Sequence, residues 1–162
     1  MIAGLALVRD LGDVRFSDIG RYWSAFWGSS PPAGNMTASF DSPEDGDKVP
    51  LCSSLSGTVS GLTGDRAAWL LLKGPNTGDL YYLTRRIIPA SGDDVRWHLT
   101  SQQIGDPMHE GQRFRMLIIG TEGAATAEYD RAAATAPFVK LPAKYETLAD
   151  ISVTIADDIV CG

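Results

Sequence analysis

Residues 55–74 constrain the fold of this chain more than any other stretch. Across residues 55–61, apolar or small side chains alternate with hydroxyl side chains, which is typical of a β-strand with one buried face. The sequence Thr-Gly-Asp at residues 63–65 has the composition of a tight turn. Residues 67–72 are apolar on both faces, which predicts a central strand whose Trp69 organises the core of a small β-sandwich.

Period-two alternation and intervening turn residues predict further strands along the chain. These strands cover residues 37–41, 48–52, 80–84, 95–100, 111–120 and 150–155, and residues 85–88 either continue the third of them or pair separately. Pro50 has no N–H to donate to a ladder, so residues 48–52 are placed at a sheet edge. The Ala-rich residues 122–136 predict a helix that forms the crossover before the last strand and ends before Pro137.

The spacing of these elements predicts a mainly β fold. About seven short strands separated by turn signals are typical of an antiparallel β-sandwich, here formed by residues 35–162. The alternative is a parallel α/β fold. It is disfavoured because only residues 122–136 have helical character inside this domain.

Residues 1–34 differ from the rest and are predicted to be an N-terminal amphipathic helix and a linker. After Ser17 as the N-cap, large apolar residues recur at helical spacing on one face. These residues are Ile19, Tyr22, Trp23, Phe26 and Trp27. The helix packs on its own domain, docks a partner protein, or contacts a membrane surface peripherally. The membrane alternative is the least favoured, because Arg21 is the only cation on the polar face.

Composition and motifs weigh against several functional classes. The net charge of −6 and the pI of about 4.8 argue against nucleic acid as the main partner. Two cysteines and two histidines without zinc-like spacing predict no metal site. The sequence lacks a nucleophile-elbow motif, a P-loop lysine and dinucleotide-binding glycine spacing. We therefore predict a chain that is not an enzyme and has no cofactor.

Several segments resemble bacterial immunoglobulin-like accessory domains of the kind found in actinobacterial multidomain or membrane-linked proteins. The segments are 42–46 (Ser-Pro-Glu-Asp-Gly), 55–62 (Leu-Ser-Gly-Thr-Val-Ser-Gly-Leu), 68–72 (Ala-Trp-Leu-Leu-Leu), Tyr81-Tyr82, Trp97 and 151–154 (Ile-Ser-Val-Thr). The resemblance covers roughly residues 36–156 and implies an immunoglobulin-like antiparallel sandwich with a non-catalytic binding or spacer role. It implies nothing about residues 1–34.

The same resemblance bears on the two cysteines. In an immunoglobulin-like sandwich the second half of the first strand runs parallel to the last strand, which places Cys52 and Cys161 at the same end of the domain. A disulfide is then feasible and would favour an extracytoplasmic or membrane-linked location. The alternative is two separate thiols in a cytoplasmic protein.

The aromatic and basic residues of the predicted sheet suggest a binding role. Tyr81 and Tyr82 are adjacent on a strand, so one points inward and the other outward. An outward tyrosine beside Arg85 can stack on a sugar or on a partner side chain, or form a cross-strand pair. We predict a non-enzymatic interaction or structural accessory module that contacts a partner protein or a second copy through the N-terminal helix and through Tyr82, Arg85 and Arg113. The alternative is a carbohydrate- or ligand-binding module that uses the two tyrosines.

Overall fold

The domain is an open β-sandwich with one helix on the outer face of its larger sheet. The structure, a computed structural model, describes residues 35–88, 96–136, 138–157, 159, 161 and 162, which belong to the second of two units divided between residues 34 and 35. Its elements are β1 (Thr37–Ser42), β2 (Lys48–Val49), β3 (Cys52–Ser60), β4 (Ala67–Lys73), β5 (Tyr81–Ile87), β6 (Arg96–Gln103), a 3₁₀ turn (Pro107–His109), β7 (Arg113–Thr121), α1 (Ala124–Thr135), β8 (Phe138–Val139) and β9 (Glu146–Ile155).

The strands form two sheets. One is three-stranded in the order β1-β3-β6, and the other is six-stranded in the order β2-β9-β7-β4-β5-β8. Neighbouring strands are antiparallel except β2 and β9, which are parallel with Val49 beside Ile155. The central position predicted for residues 67–72 is confirmed, because β4 lies between β7 and β5. The mainly β fold with two sheets is therefore as the alternation predicts.

The main core lies between the two sheets. Leu55, Val59 and Trp97 of the smaller sheet are at most 2% exposed and pack against the larger sheet. Leu70 and Met116 are among the fully buried residues that they meet. The side chains that form this core come from every second position of their strands, which is why the period-two pattern found them.

A second core lies under α1, on the other face of the larger sheet. Trp69 belongs to this cluster rather than to the inter-sheet core, with its ring centroid 5.5 Å from that of Tyr129 on the helix. The expectation that Trp69 organises the sandwich core is therefore wrong. Trp97 occupies the inter-sheet core instead, in an edge-on contact with Phe40 at 5.7 Å. Because β4 is buried on both faces, its alternation does not indicate which face Trp69 takes.

Several predicted boundaries change in the structure. Cys52 begins β3 rather than ending an edge strand, and the last strand begins at Glu146 rather than at residue 150. The two-residue strand β8 was not predicted. Of the two alternatives for residues 85–88, the structure has the continued strand, since β5 extends to Ile87. The predicted aromatic helix lies outside the described residues. In the part of the chain that is described, no helix has the length and hydropathy needed to cross a membrane.

Candidate functional site

A groove opens between the two sheets on the side where both end. β6 is the last strand of its sheet, and on the facing sheet β5 is followed only by the short β8. The groove has a volume of about 290 Å³. Leu72 and residues 82–85 line one wall, and residues 102–106 line the other. We call this feature the edge groove.

The floor of the edge groove is apolar. Leu72 is 4% exposed and Ile104 is fully buried, and both belong to the inter-sheet core. The backbone N–H of Ile104 donates to the carbonyl of Leu51 at 2.9 Å, which anchors the loop after β6. The floor is therefore set by the rigid core of the sandwich.

Two side-chain oxygens of residues that line the edge groove are buried and have no hydrogen-bond partner among the described residues. They are Thr84 Oγ1 and Gln102 Oε1, which lie on opposite walls. The amide of Gln102 is oriented by its Nε2, which donates to the carbonyl of Gln103 at 3.0 Å. Exchanging the amide oxygen and nitrogen would place two acceptors against each other, so Oε1 is the buried amide atom that has no partner.

The rim of the edge groove combines an aromatic ring with charges of both signs. Tyr82 is half-buried, and its ring centroid lies 4.1 Å from that of Phe138 on β8. Arg85 on one wall and Asp106 on the other are both exposed. Neither takes part in an ion pair within the described residues. Neither charge is therefore balanced by an ion pair in this part of the chain, and the Asp106 carboxylate also forms a capping box with His109 at the start of the 3₁₀ turn.

The strands on either side of the edge groove are irregular. The register between β4 and β5 shifts beside Arg85, and the register between β3 and β6 shifts between Ser53 and Leu55. Ser101 on β6 has a φ of 51°, which is unusual for a residue other than glycine. Such irregularities interrupt the regular backbone edge that a further strand needs for pairing. The groove therefore favours a compact molecule over an added strand.

A disulfide lies beside the β6 wall of the edge groove. Cys52 and Cys161 are bridged with a Cα–Cα distance of 5.0 Å, and Cys52 pairs in the sheet with Gln103. The Sγ atom of Cys161 lies 3.0 Å from the carbonyl oxygen of Ser101. The bridge thus fixes the C-terminal residues against the strand end that carries Gln102.

The structure brings together only part of the predicted binding set. Tyr82 and Arg85 both line the edge groove, although Tyr82 is half-buried toward the other sheet rather than outward on an open surface. Tyr81 is 6% exposed in the core beneath α1. The other predicted contacts, Ile19, Tyr22, Trp23, Phe26 and Trp27, lie outside the described residues.

Arg113 is separated from the groove residues. It is the first residue of β7 and precedes Phe114, whose side chain lies in the inter-sheet core. Because side chains alternate between the two faces of a sheet, Arg113 lies with Arg115 on the helix-side face of the larger sheet. Arg115 is paired with Asp150, and the hydrogen bonds that its guanidinium donates to this carboxylate raise the pKa of the guanidinium. Arg113 is therefore a surface residue of a different face.

Sequence reasoning missed Thr84, Gln102 and Asp106. Their side chains are common on exposed strands and loops, and no spacing in the sequence connects them. They form one site because β5 and β6 belong to different sheets that meet at this edge. The adjacent glutamines at residues 102 and 103 were the only local signal, and polar pairs of this kind usually end a strand at the surface.

A larger groove of about 680 Å³ lies near the start of α1. Its lining includes the ion pair of Arg66 with Glu122 at 3.4 Å, together with Lys144 and Glu146. Neither of the two unpartnered buried oxygens lies in this groove. It is therefore the weaker candidate for a binding site.

Among the described residues, no three histidine, cysteine or carboxylate side chains are grouped closely enough to hold a metal ion. Comparison with protein-family models, curated proteins and solved structures finds no match to this chain. The functional proposal therefore depends on the edge groove itself.

Proposed function

We propose that this chain is a non-enzymatic binding module with an immunoglobulin-like sandwich and that the edge groove is its ligand site. This proposal favours the ligand-binding alternative from the sequence over docking through residues 1–34. The described residues provide its support. Contact through the N-terminal aromatic stripe stays a prediction.

The strand order supports the immunoglobulin-like part of the proposal. The described residues start in the smaller sheet with β1 and cross to the larger one, where β2 pairs in parallel with the last strand β9. The strands β3 and β6 then pair in one sheet, while β4, β7 and β9 form the centre of the other. This alternation between two sheets matches the Greek-key order of immunoglobulin-like domains, with β5 added beside β4.

The observation that carries the ligand-binding proposal is the pair of buried oxygens Thr84 Oγ1 and Gln102 Oε1. A buried polar group without a partner costs about 1–3 kcal/mol, so two in one groove are an expensive arrangement for a purely structural element. A ligand that hydrogen-bonds to both atoms recovers this cost on binding. The apolar floor beneath them excludes bulk water and strengthens such bonds.

The disulfide supports a location for this activity. A bridge between Cys52 and Cys161 persists in oxidising compartments, so we place the module outside the cytoplasm. A binding module there would meet ligands that are free in solution or carried on surfaces.

The experiment that tests the proposal is a fragment screen on the full chain, followed through backbone amide NMR shifts. A mixture of small alcohols, amines, carboxylates and heterocycles is expected to shift the resonances of residues 82–85 and 102–106. Arg85→Ala should weaken these effects, whereas Arg113→Ala is the matched control, because it removes an exposed strand arginine from another face. Shifts confined to other surfaces, or no shifts at all, would show that the edge groove is not a binding site.

A further inference from the structure

We infer that the edge groove takes one neutral pyranose ring, the unit of a carbohydrate. This inference rests on the proposed function and names the chemical class of the ligand. It draws on four properties of the groove, namely its hydrogen-bonding atoms, its charge, its size and its apolar surface.

The hydrogen-bonding atoms require a ligand that can both donate and accept. Gln102 Oε1 only accepts, so the ligand must donate to it. The hydroxyl of Thr84 can donate or accept, so it pairs with an oxygen that does either. Hydroxyl groups on neighbouring carbons meet both requirements, because each one is a donor and an acceptor. A pyranose presents such groups around one rigid ring.

The charges favour a neutral ligand. Arg85 contributes one positive charge and Asp106 one negative charge, so the rim has no net charge to attract an anion or a cation. Arg85 supplies donors and Asp106 supplies acceptors, and both form charge-assisted hydrogen bonds with hydroxyl groups. A phosphate or carboxylate ligand would be attracted by Arg85 and repelled by Asp106.

The size and the apolar surfaces match a single ring. The groove volume of about 290 Å³ lies just below the usual range for small-molecule pockets, which begins at about 300 Å³. Leu72 and Ile104 form an apolar floor, and the ring of Tyr82 provides an aromatic surface beside it. The C–H face of a pyranose is apolar while its edge carries hydroxyls, so the ring can contact both kinds of surface at once.

A zwitterionic amino acid is the closest competing ligand. Its ammonium group would pair with Asp106 and its carboxylate with Arg85. Both charged groups of the amino acid would then lie at the rim of the groove. An apolar amino acid has only this one donor group, so the ammonium would have to bond to Gln102 Oε1 as well as to Asp106, whereas a pyranose has a separate hydroxyl for each position. The two buried oxygens therefore favour the carbohydrate.

The test is a titration of the full chain with the methyl glycosides of glucose, galactose and mannose, followed by amide NMR. At least one glycoside is expected to cause saturable shifts at residues 82–85 and 102–106. Thr84→Val and Gln102→Met should each weaken that binding about tenfold without lowering the melting temperature, because each removes a buried oxygen that has no partner in the unliganded chain. Thr147→Val, on the exposed part of β9, and Gln112→Met, before β7, are matched controls and should bind normally.

Two results would overturn the inference. One is that the fragments bind in the groove but no glycoside causes saturable shifts, or that only L-leucine does. The ligand class would then be wrong, while the proposed function would stand. The other is glycoside binding that Thr84→Val and Gln102→Met leave unchanged, which would place the ring elsewhere. If neither the fragments nor the glycosides bind in the groove of the unmodified chain, the proposed function itself is contradicted.

Discussion

Trp69 carries a buried indole N–H that begins a chain of hydrogen bonds under α1. Its Nε1 donates to Thr121 Oγ1 at 2.9 Å. The hydroxyl of Thr121 is 2.9 Å from that of Thr126, which in turn donates to the carbonyl of Asp65 at 2.9 Å. Because Thr126 donates its only hydroxyl proton to the carbonyl of Asp65, the hydroxyl of Thr121 is the donor in the hydrogen bond between the two threonines. The chain satisfies each of these buried groups and fixes the first turn of the helix to the sheet.

We expect Thr121→Val to destabilise the domain by about 1–3 kcal/mol, because valine keeps the shape but leaves the indole N–H of Trp69 buried without an acceptor. The free energy of unfolding, measured by urea denaturation of the full chain, checks this. Thr147→Val on the exposed part of β9 should change it by no more than about 0.5 kcal/mol. Equal effects from the two variants would show that the hydrogen-bond chain contributes nothing specific.

Tyr129 is expected to make the stability of the domain depend on pH in the alkaline range. Burial raises the pKa of this phenol, and the carboxylate of Glu128 raises it further. Because the folded pKa is above the unfolded one, the stabilisation is complete below the ordinary tyrosine pKa of about 10 and is lost as pH rises beyond it.

The Tyr129→Phe variant separates this titration from the hydrogen bond that the phenol donates to the carbonyl of Lys140 at 2.8 Å. At neutral pH we expect it to lose about 1 kcal/mol of stability through that bond. Above about pH 10 its stability should fall less steeply than that of the unmodified chain. Parallel pH profiles for the two proteins, measured by urea denaturation, would contradict this account.

Among the elements, β3 and β6 are held together by a close contact between Gly57 and Trp97. A Cβ atom at Gly57 would lie 2.7 Å from Cζ2 of Trp97 and 1.9 Å from the carbonyl oxygen of Ser39 on β1. The indole also donates to the carbonyl of Thr58 at 3.1 Å. The glycine therefore allows the ring to fill the core directly against the backbone of β3.

Gly57→Ala should cost about 3 kcal/mol or more, because the backbone oxygen of Ser39 cannot move aside as a flexible side chain would. Thermal unfolding of the full chain, followed by circular dichroism, measures the loss. Ser54→Ala on an exposed position of the same strand is the control and should unfold close to the original temperature. A Gly57→Ala domain of unchanged stability would mean that β3 and Trp97 are not packed as described.

The disulfide makes a separate prediction for β3 and the C-terminal residues. Cys52 and Cys161 are separated by 109 positions, so the bridge restricts a long loop of the unfolded chain. Reduction, or Cys52→Ser with Cys161→Ser, should lower stability by about 2–5 kcal/mol and weaken ligand binding in the edge groove. The binding effect follows from the contact of Cys161 with Ser101, next to Gln102. Unchanged unfolding with and without reductant would exclude a stabilising role.

Elements were predictable from the sequence where local alternation decides them. The strands β3, β4, β6 and β7 have strong period-two patterns or continuous apolar runs, and the Ala-rich α1 has a helical composition. The two-residue strand β8 is too short for any period, and it exists because Phe138 and Val139 lie beside Tyr82 and Tyr81. Its pairing therefore depends on tertiary contact that no local pattern records.

At the scale of the whole molecule, the edge groove arises from the way in which the two sheets end. Residues 82–85 and 102–106 belong to strands of different sheets, which are not hydrogen-bonded to each other. Periodicity indicates which residues of one strand share a face, but it does not indicate which strands face each other across a core. Tyr82 and Arg85 could be selected from the sequence as a local pair, whereas Gln102 and Asp106 could not.

The measurement that tests the ligand site most directly is a crystal structure of the full chain soaked with a methyl pyranoside. The account predicts electron density for one sugar ring on the apolar floor formed by Leu72 and Ile104. Separate hydroxyl groups of that ring should lie within hydrogen-bonding distance of Thr84 Oγ1 and Gln102 Oε1. Ordered water alone on both oxygens, in crystals whose groove is open to solvent and free of neighbouring molecules, would contradict the assignment of the edge groove as a carbohydrate site.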